Sequence, residues 1–138
     1  MSMPSPVEQL ALDALVSSYA LAVDALDEAA LLDCFEPGAV FDFGAGAWRG
    51  HAQLLGIVAA VADAERRFHQ LGTRLFETRA DGAEATGVVY CTALAVRRDD
   101  GGRALLQRFA VRYDDVYARG ADGRFRIRRR ALTTLWSE

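Results

Sequence analysis

The chain predicts an α+β fold in which an antiparallel sheet packs on N-terminal helices. Three observations predict it. Apolar residues recur at helical spacing from Leu12 to Val23; strand-like alternation fills nearly everything after residue 68; and three Asp-Gly turns divide that second half. Helices gathered at one end of a chain and strands at the other make an α+β arrangement, in which the sheet buries one face and the helices cover it.

The first helix begins with Ser5, Pro6 and Glu8, a cap, a first-turn proline and a capping-box acid. Leu12, Leu15, Val16, Tyr19 and Val23 then form its apolar stripe. Asp27 reads as a second cap, "EAALLDCF" as a short helix, and Pro37-Gly38 as its stop. "AVFDF", 39–43, is a short strand. The "GAGAWRG" that follows lacks the glycine spacing and the immediate helix of a dinucleotide loop. "HAQLLGIVAAVADAERR" reads as a third helix, with His51 solvated at its start. Strands follow over about 68–79, 83–98, 103–119 and 124–136, joined by "RADGAE", "RDDGGR" and "RGADGR". Long neighbours with tight turns make a meander.

Strand faces are legible from alternation. Ala83, Ala85, Gly87, Val89, Cys91, Ala93 and Ala95 share one face, and Val88, Tyr90, Leu94 and Val96 lie on the other. Small residues leave room either for a ligand or for a closely approaching helix. With the small face inward, the second set forms an outer apolar patch suited to a homodimer.

A chain of 138 residues with 51% hydrophobic content suits one domain, 1–138, with a substantial core. No apolar run is long enough to span a bilayer, and "MSMPSPVEQL" has neither a basic start nor an apolar signal core, so a cytoplasmic protein is expected. A net charge of −3 does not favour nucleic acid, and the basic run "RIRRR", 126–130, reads as a solvated strand face opposite acidic neighbours. Cys34 and Cys91 have no metal or redox spacing and read as reduced core residues. Two distant histidines and scattered acids make no metal set, so neither metal nor cofactor is expected.

His69 is the first candidate for chemistry. In "ERRFHQLGTR" it shares the apolar face of a strand with Leu71, Thr73 and Leu75. Asp24 closes the first helix, where a carboxylate is electrostatically disfavoured, and therefore calls for a tertiary partner. Tyr19 lies on the helix's apolar stripe. Five residues put Tyr19 and Asp24 roughly 140° apart around an ideal helix, so both reach one pocket only if that helix edge borders it or its end unwinds. Asp42, between Phe41 and Phe43, either points inward, where an apolar site raises a carboxyl pKa, or is a solvated strand residue.

"SYALAVDALDEAALLDCFEPGAVFDFG", then "WRG" before a helix, then "FHQLGTR", then "RYDDVYARGADGRFRIRRR" resemble the SnoaL-like proteins of the nuclear transport factor two-like superfamily, nearest the scytalone dehydratase and bile acid dehydratase branch. The resemblance covers nearly the whole chain. It implies a cone-shaped sheet around a mostly apolar pocket for a small organic ligand, often in a dimer. In that branch a helix-one Tyr and a following Asp reach the pocket, matching Tyr19 and Asp24. A pocket His, oriented by the Asp as a base, matches His69. An acid or second His on the next strand is missing here, around Val89 to Thr92. A pocket Tyr is replaced by Phe43, and an Asn position falls near Tyr113. The base Asp of ketosteroid isomerase occupies a strand similar to that of Asp42. Arg130 resembles a family Arg after "FRI"; one reading has it bind an anionic tail such as a carboxylate or thioester phosphate, and the other pairs it at the surface.

The resemblance therefore implies His69, Asp24 and Tyr19 as catalytic residues. Asp42, Phe43, Val89, Cys91, Tyr113 and Arg130 are the implied substrate-binding wall. The implied activity is a cofactor-free lyase or isomerase acting on a small cyclic or polycyclic carbonyl or hydroxy compound. The alternatives are a non-catalytic ligand-binding module and a structural subunit of the same fold.

Overall fold

Helix α1, Pro6–Asp24, starts as its sequence demands. Ser5 and Glu8 form a reciprocal capping box, with Glu8 N–H to Ser5 Oγ at 3.2 Å and Ser5 N–H to Glu8 Oε2 at 2.8 Å. The structure is a computed structural model and describes residues 1–138. The far end of α1 closes in a Schellman motif. Leu26 N–H bonds to Val23 O and Asp27 N–H to Ala22 O, with Leu26 at φ +53° in the position that glycine usually takes. This keeps Asp24 on the last regular turn.

Helix α2, Glu28–Asp33, is capped by Asp27, whose carboxylate accepts from Ala30 N–H at 3.0 Å. Strand β1 runs Phe35–Asp42, four residues earlier than the sequence predicts. Pro37 and Gly38 do not stop the helix. They lie where β1 loses its pairing, between Phe35↔Ile127 and Val40↔Arg129, and a proline is tolerated at such an irregularity. β2, Ala47–Arg49, folds back on β1, so the glycine-rich stretch is a hairpin.

The predicted third helix is broken. α3, Gly50–Leu54, and α4, Gly56–Ala59, replace one long helix, and β3, Arg66–Thr78, already begins at Arg66. Gly56, at the start of α4, makes room for Trp48, because a Cβ there would meet the indole at 2.6 Å.

β4, Glu84–Arg98, β5, Ala104–Arg119, and β6, Phe125–Ser137, complete a six-stranded sheet of order β2-β1-β6-β5-β4-β3. The β3–β6 meander is antiparallel as predicted, but β1 pairs with β6 in parallel. Register breaks at Leu71/Arg74, Ala110/Val111 and Val116/Tyr117 are bulges that bend the strands and curve the sheet around the helices.

The small face of β4 points inward as read from the sequence, with Ala85, Val89, Cys91 and Ala95 buried. Its small residues serve two ends. At Gly87, a Cβ would meet the Phe76 ring at 2.7 Å and the Tyr117 hydroxyl at 2.8 Å, so aromatic rings from neighbouring strands fill that space. At Ala93 and Ala95 the space stays open as a cavity. No helix is long and apolar enough to cross a membrane.

Candidate active site

His69 stands on β3, the edge strand beside β4, and faces inward opposite Ala93. The end of α1 lies against this strand, and Asp24 grips His69 twice. Oδ2 accepts the backbone N–H of His69 at 3.0 Å, and Oδ1 meets Nδ1 at 2.7 Å. A carboxylate only accepts, so Nδ1 carries a proton and, in the neutral ring, the lone pair is on Nε2. Nε2 makes no bond within the chain and is not sealed from open space. The tertiary partner expected of a C-terminal acid is therefore His69, and the carboxylate fixes both tautomer and ring orientation.

The ring lines a cavity of about 160 Å³ between α4 and the sheet. Ala60, Val61, Ala93, Leu94, Ala95 and Phe109 supply its apolar wall, and Arg67 and Arg97 add two guanidinium groups. Arg97 is committed to neighbours. It donates to Gln107 Oε1 at 2.7 Å, to Ala60 O at 3.1 Å and to Asp63 at 3.1 Å. Arg67 is not, and its buried Nε–H has no acceptor. Neither arginine was read as a site residue. Extending the alternation back by two residues from His69 places Arg67 on the same face, a signal obscured by assigning Arg67 to a helix.

Most of the expected substrate wall lies elsewhere. Val89, Cys91, Tyr113 and Arg130 are in the packed core behind the cavity, none more than 4% exposed. Tyr19, 2% exposed, is there too, edge-on to Phe35 and Tyr113 at 6.0 Å each. Large rings fill the inner cone that the resemblance implies as pocket. Tyr19 and Asp24 diverge as the helix geometry predicts: α1 stays regular, Tyr19 enters the core and Asp24 reaches the edge strand.

Asp42 is also corrected. It shares the outer face with Arg129 and Ala131, where its carboxylate accepts from Arg129 at 2.8 Å and from Gly44 N–H at 2.9 Å. It belongs to the solvated reading. Phe43 packs on Trp48 with ring centroids 4.4 Å apart, away from His69's cavity. His51 is not simply solvated, since its Nε2 meets Phe35 O at 3.0 Å.

Within "RIRRR", Arg126, Arg128 and Arg129 pair with acids as expected of a strand face. Arg130 does not belong to that surface. It points into the core and forks onto Asp115, Nε to Oδ1 at 2.8 Å and Nη2 to Oδ2 at 2.7 Å. Its guanidinium carbon lies 4.3 Å from the Tyr19 ring centre and 4.0 Å from that of Tyr113, a cation–π arrangement. Tyr117 donates to Asp115 Oδ2 at 2.6 Å, while Arg130 Nη1 is buried without a partner. Burial works against the charge on Arg130, but the Asp115 carboxylate more than offsets it and holds the proton. Burial pushes the Tyr19 hydroxyl up to about 12. Alternation between Tyr113 and Tyr117 places Asp115 inward, so this partner was legible.

No three His, Cys, Asp or Glu side chains gather as a metal set. No curated protein matches the chain. Solved structures do. A protein of Novosphingobium aromaticivorans, provisionally named an aromatic ring hydroxylase, is 28% identical over 96% of this chain and 93% of its own, with a TM-score of 0.80. A second protein of that organism, provisionally named a scytalone dehydratase, is 16% identical over 96% and 87%, with a TM-score of 0.84. A hexachlorocyclohexane dehydrochlorinase, LinA type 2, is 18% identical over 96% and 88%, with a TM-score of 0.82. The latter two likenesses concern the fold alone. The model of the SnoaL-like domain matches residues 8–131, and the chain belongs to that family.

Proposed function

We propose that the protein is a cofactor-free lyase or isomerase in which His69 is the base and Asp24 orients it. The observation that carries this reading is the 2.7 Å contact between Asp24 Oδ1 and His69 Nδ1, with Nε2 free at an apolar cavity. Nε2 takes a proton from carbon next to a carbonyl, and the C–H electron pair moves onto the carbonyl oxygen as an enolate. Asp24 stabilises the imidazolium formed. Arg97 places positive charge beside the developing anion in a site of low polarity. The imidazolium then returns its proton. Delivered to a β-hydroxyl as the enolate collapses, it releases water; delivered to another carbon, it completes an isomerisation. One residue serves as acid and base, which suits a chain with no second acid at Val89 to Thr92.

The solved structures named for dehydration and dehydrochlorination share this fold, and both reactions include removal of a proton from carbon. The substrate class is a small cyclic ketone or hydroxyketone. The test is exchange of the α-protons of such ketones in D₂O, followed by NMR, which needs no knowledge of the product. Exchange that depends on His69 supports the reading; the same rate in His69→Ala ends it.

The filled inner cone favours a second reading, in which the domain binds or scaffolds without turnover; it predicts no exchange with any ketone. For assembly we infer a homodimer through the outer face of the sheet, where Phe68, Leu75, Tyr90, Leu106 and Trp136 stand exposed.

A further inference from the structure

Arg67 and His69 alternate onto one face of β3, so their Cα atoms are about 7 Å apart, and both line the same cavity. They differ in how they are held. Asp24 fixes His69 on its far nitrogen, and Arg97 is occupied by Gln107, Ala60 and Asp63. No carboxylate of the chain pairs with Arg67, and its Nε–H is buried without an acceptor. A guanidinium keeps its charge throughout the range in which proteins fold. A buried donor of such a group without an acceptor is strongly disfavoured. An anion brought by a ligand would supply the missing acceptor. The paired N–H groups of a guanidinium edge match the two oxygens of a carboxylate, and Val61, Ala93, Ala95 and Phe109 offer an apolar wall of single-ring size beside it.

We propose that Arg67 anchors a carboxylate-recognising subsite, so that the substrate is a small cyclic compound carrying a carboxylate about one ring's width from the C–H that His69 attacks. The second half rests on His69 being the base; the carboxylate site itself does not. In this arrangement Arg67 fixes the substrate's register against Nε2, and neutral cyclic ketones bind less well than acidic ones.

The test uses the full chain with benzoate and its uncharged analogue benzamide, followed through the backbone amide NMR signals of His69, Ala93 and Ala95. Benzoate is expected to saturate these signals, with benzamide at least tenfold weaker, about 1.4 kcal/mol. Arg67→Gln removes that preference by weakening benzoate and leaving benzamide unchanged, and Arg66→Gln, on the opposite face of β3, leaves the preference in place. Arg67→Lys keeps the charge without the fork and retains part of the preference, which carries the test if Arg67→Gln fails to fold. Equal affinity for the two ligands, an undiminished preference in Arg67→Gln, or no saturation by benzoate overturns the proposal. His69→Gln separates it from the catalytic reading. It should keep the benzoate preference while losing proton exchange. A preference that depends on Arg67 in a protein that catalyses no exchange removes the enzyme and leaves the subsite; exchange without any preference removes the subsite alone.

Discussion

Arg130 and Asp115 form a two-pronged ion pair with neither side chain reached by solvent. Both are drawn from adjacent inward positions of β5 and β6, and the Tyr117 hydroxyl occupies a further site on the carboxylate. Taking away one partner leaves the other charged, buried and unmatched. Asp115→Ala should therefore lose about 3–5 kcal/mol of stability in urea denaturation, and Tyr117→Phe, which removes one hydrogen bond to a charged acceptor, about 1.5–3 kcal/mol. An Asp115→Ala protein as stable as the parent would show that the core does not hold this charge.

The Asp24–His69 pair should dominate turnover. His69→Ala is expected to lower α-proton exchange by roughly 100-fold or more. Asp24→Asn should also lower it, because the amide carries no charge to stabilise imidazolium and can select the wrong tautomer. Asp42→Asn, which disturbs only an outer-face contact with Arg129, should leave kcat/KM nearly unchanged. Reversed sensitivities of Asp24 and Asp42 would move the base to the opposite face of the sheet.

Alkaline pH should unfold the protein through its buried phenols. Burial pushes Tyr19 up to about 12, and Tyr113 and Tyr117 well above the ordinary tyrosine value. Each holds its proton more tightly folded than unfolded. Their contribution to stability is thus fully present below about pH 10, the unfolded tyrosine value, and is lost as pH rises through the folded ones. The urea midpoint should fall from about pH 10 upward, with tyrosinate absorbance rising together with unfolding. Ionisation of these three near the ordinary value in a folded protein would contradict their burial.

Cys34 and Cys91 should be inert in the folded protein. Burial pushes both thiols up to about 11, so little thiolate forms near neutrality. A disulfide-exchange reagent at about pH 8 should label neither until urea unfolds the chain; rapid labelling of one thiol without unfolding would place it at an opening in the core.

The outer sheet face can be tested by charge. Light scattering should give twice the chain mass for the parent, and Tyr90→Glu combined with Trp136→Glu should give the single chain with an unchanged circular dichroism spectrum. A parent protein of single-chain mass would leave these residues in water and end the dimer reading.

The sequence by itself determined whatever depends on near neighbours. The Ser5–Glu8 capping box, the Asp27 cap, the Asp-Gly turns and the strand alternation are local contacts, and they correctly placed α1, α2, the β3–β6 meander and the inward face of β4. Alternation also put His69 on that face, and the electrostatics of a helix end asked for a partner to Asp24. The family resemblance, not local pattern, implied His69 as that partner, since the two residues are 45 apart in sequence, and the tertiary structure brings them together. Only the tertiary structure decided that β1 runs parallel to β6, that Trp48 packs against the backbone at Gly56, and that Arg130 turns from a basic surface run into the core to meet Asp115. These outcomes depend on packing between distant segments, where volume and paired charge override local preference. Rings and a paired arginine filled the interior that small residues had left open, and the cavity survived only where Ala93 and Ala95 face His69 and Arg67.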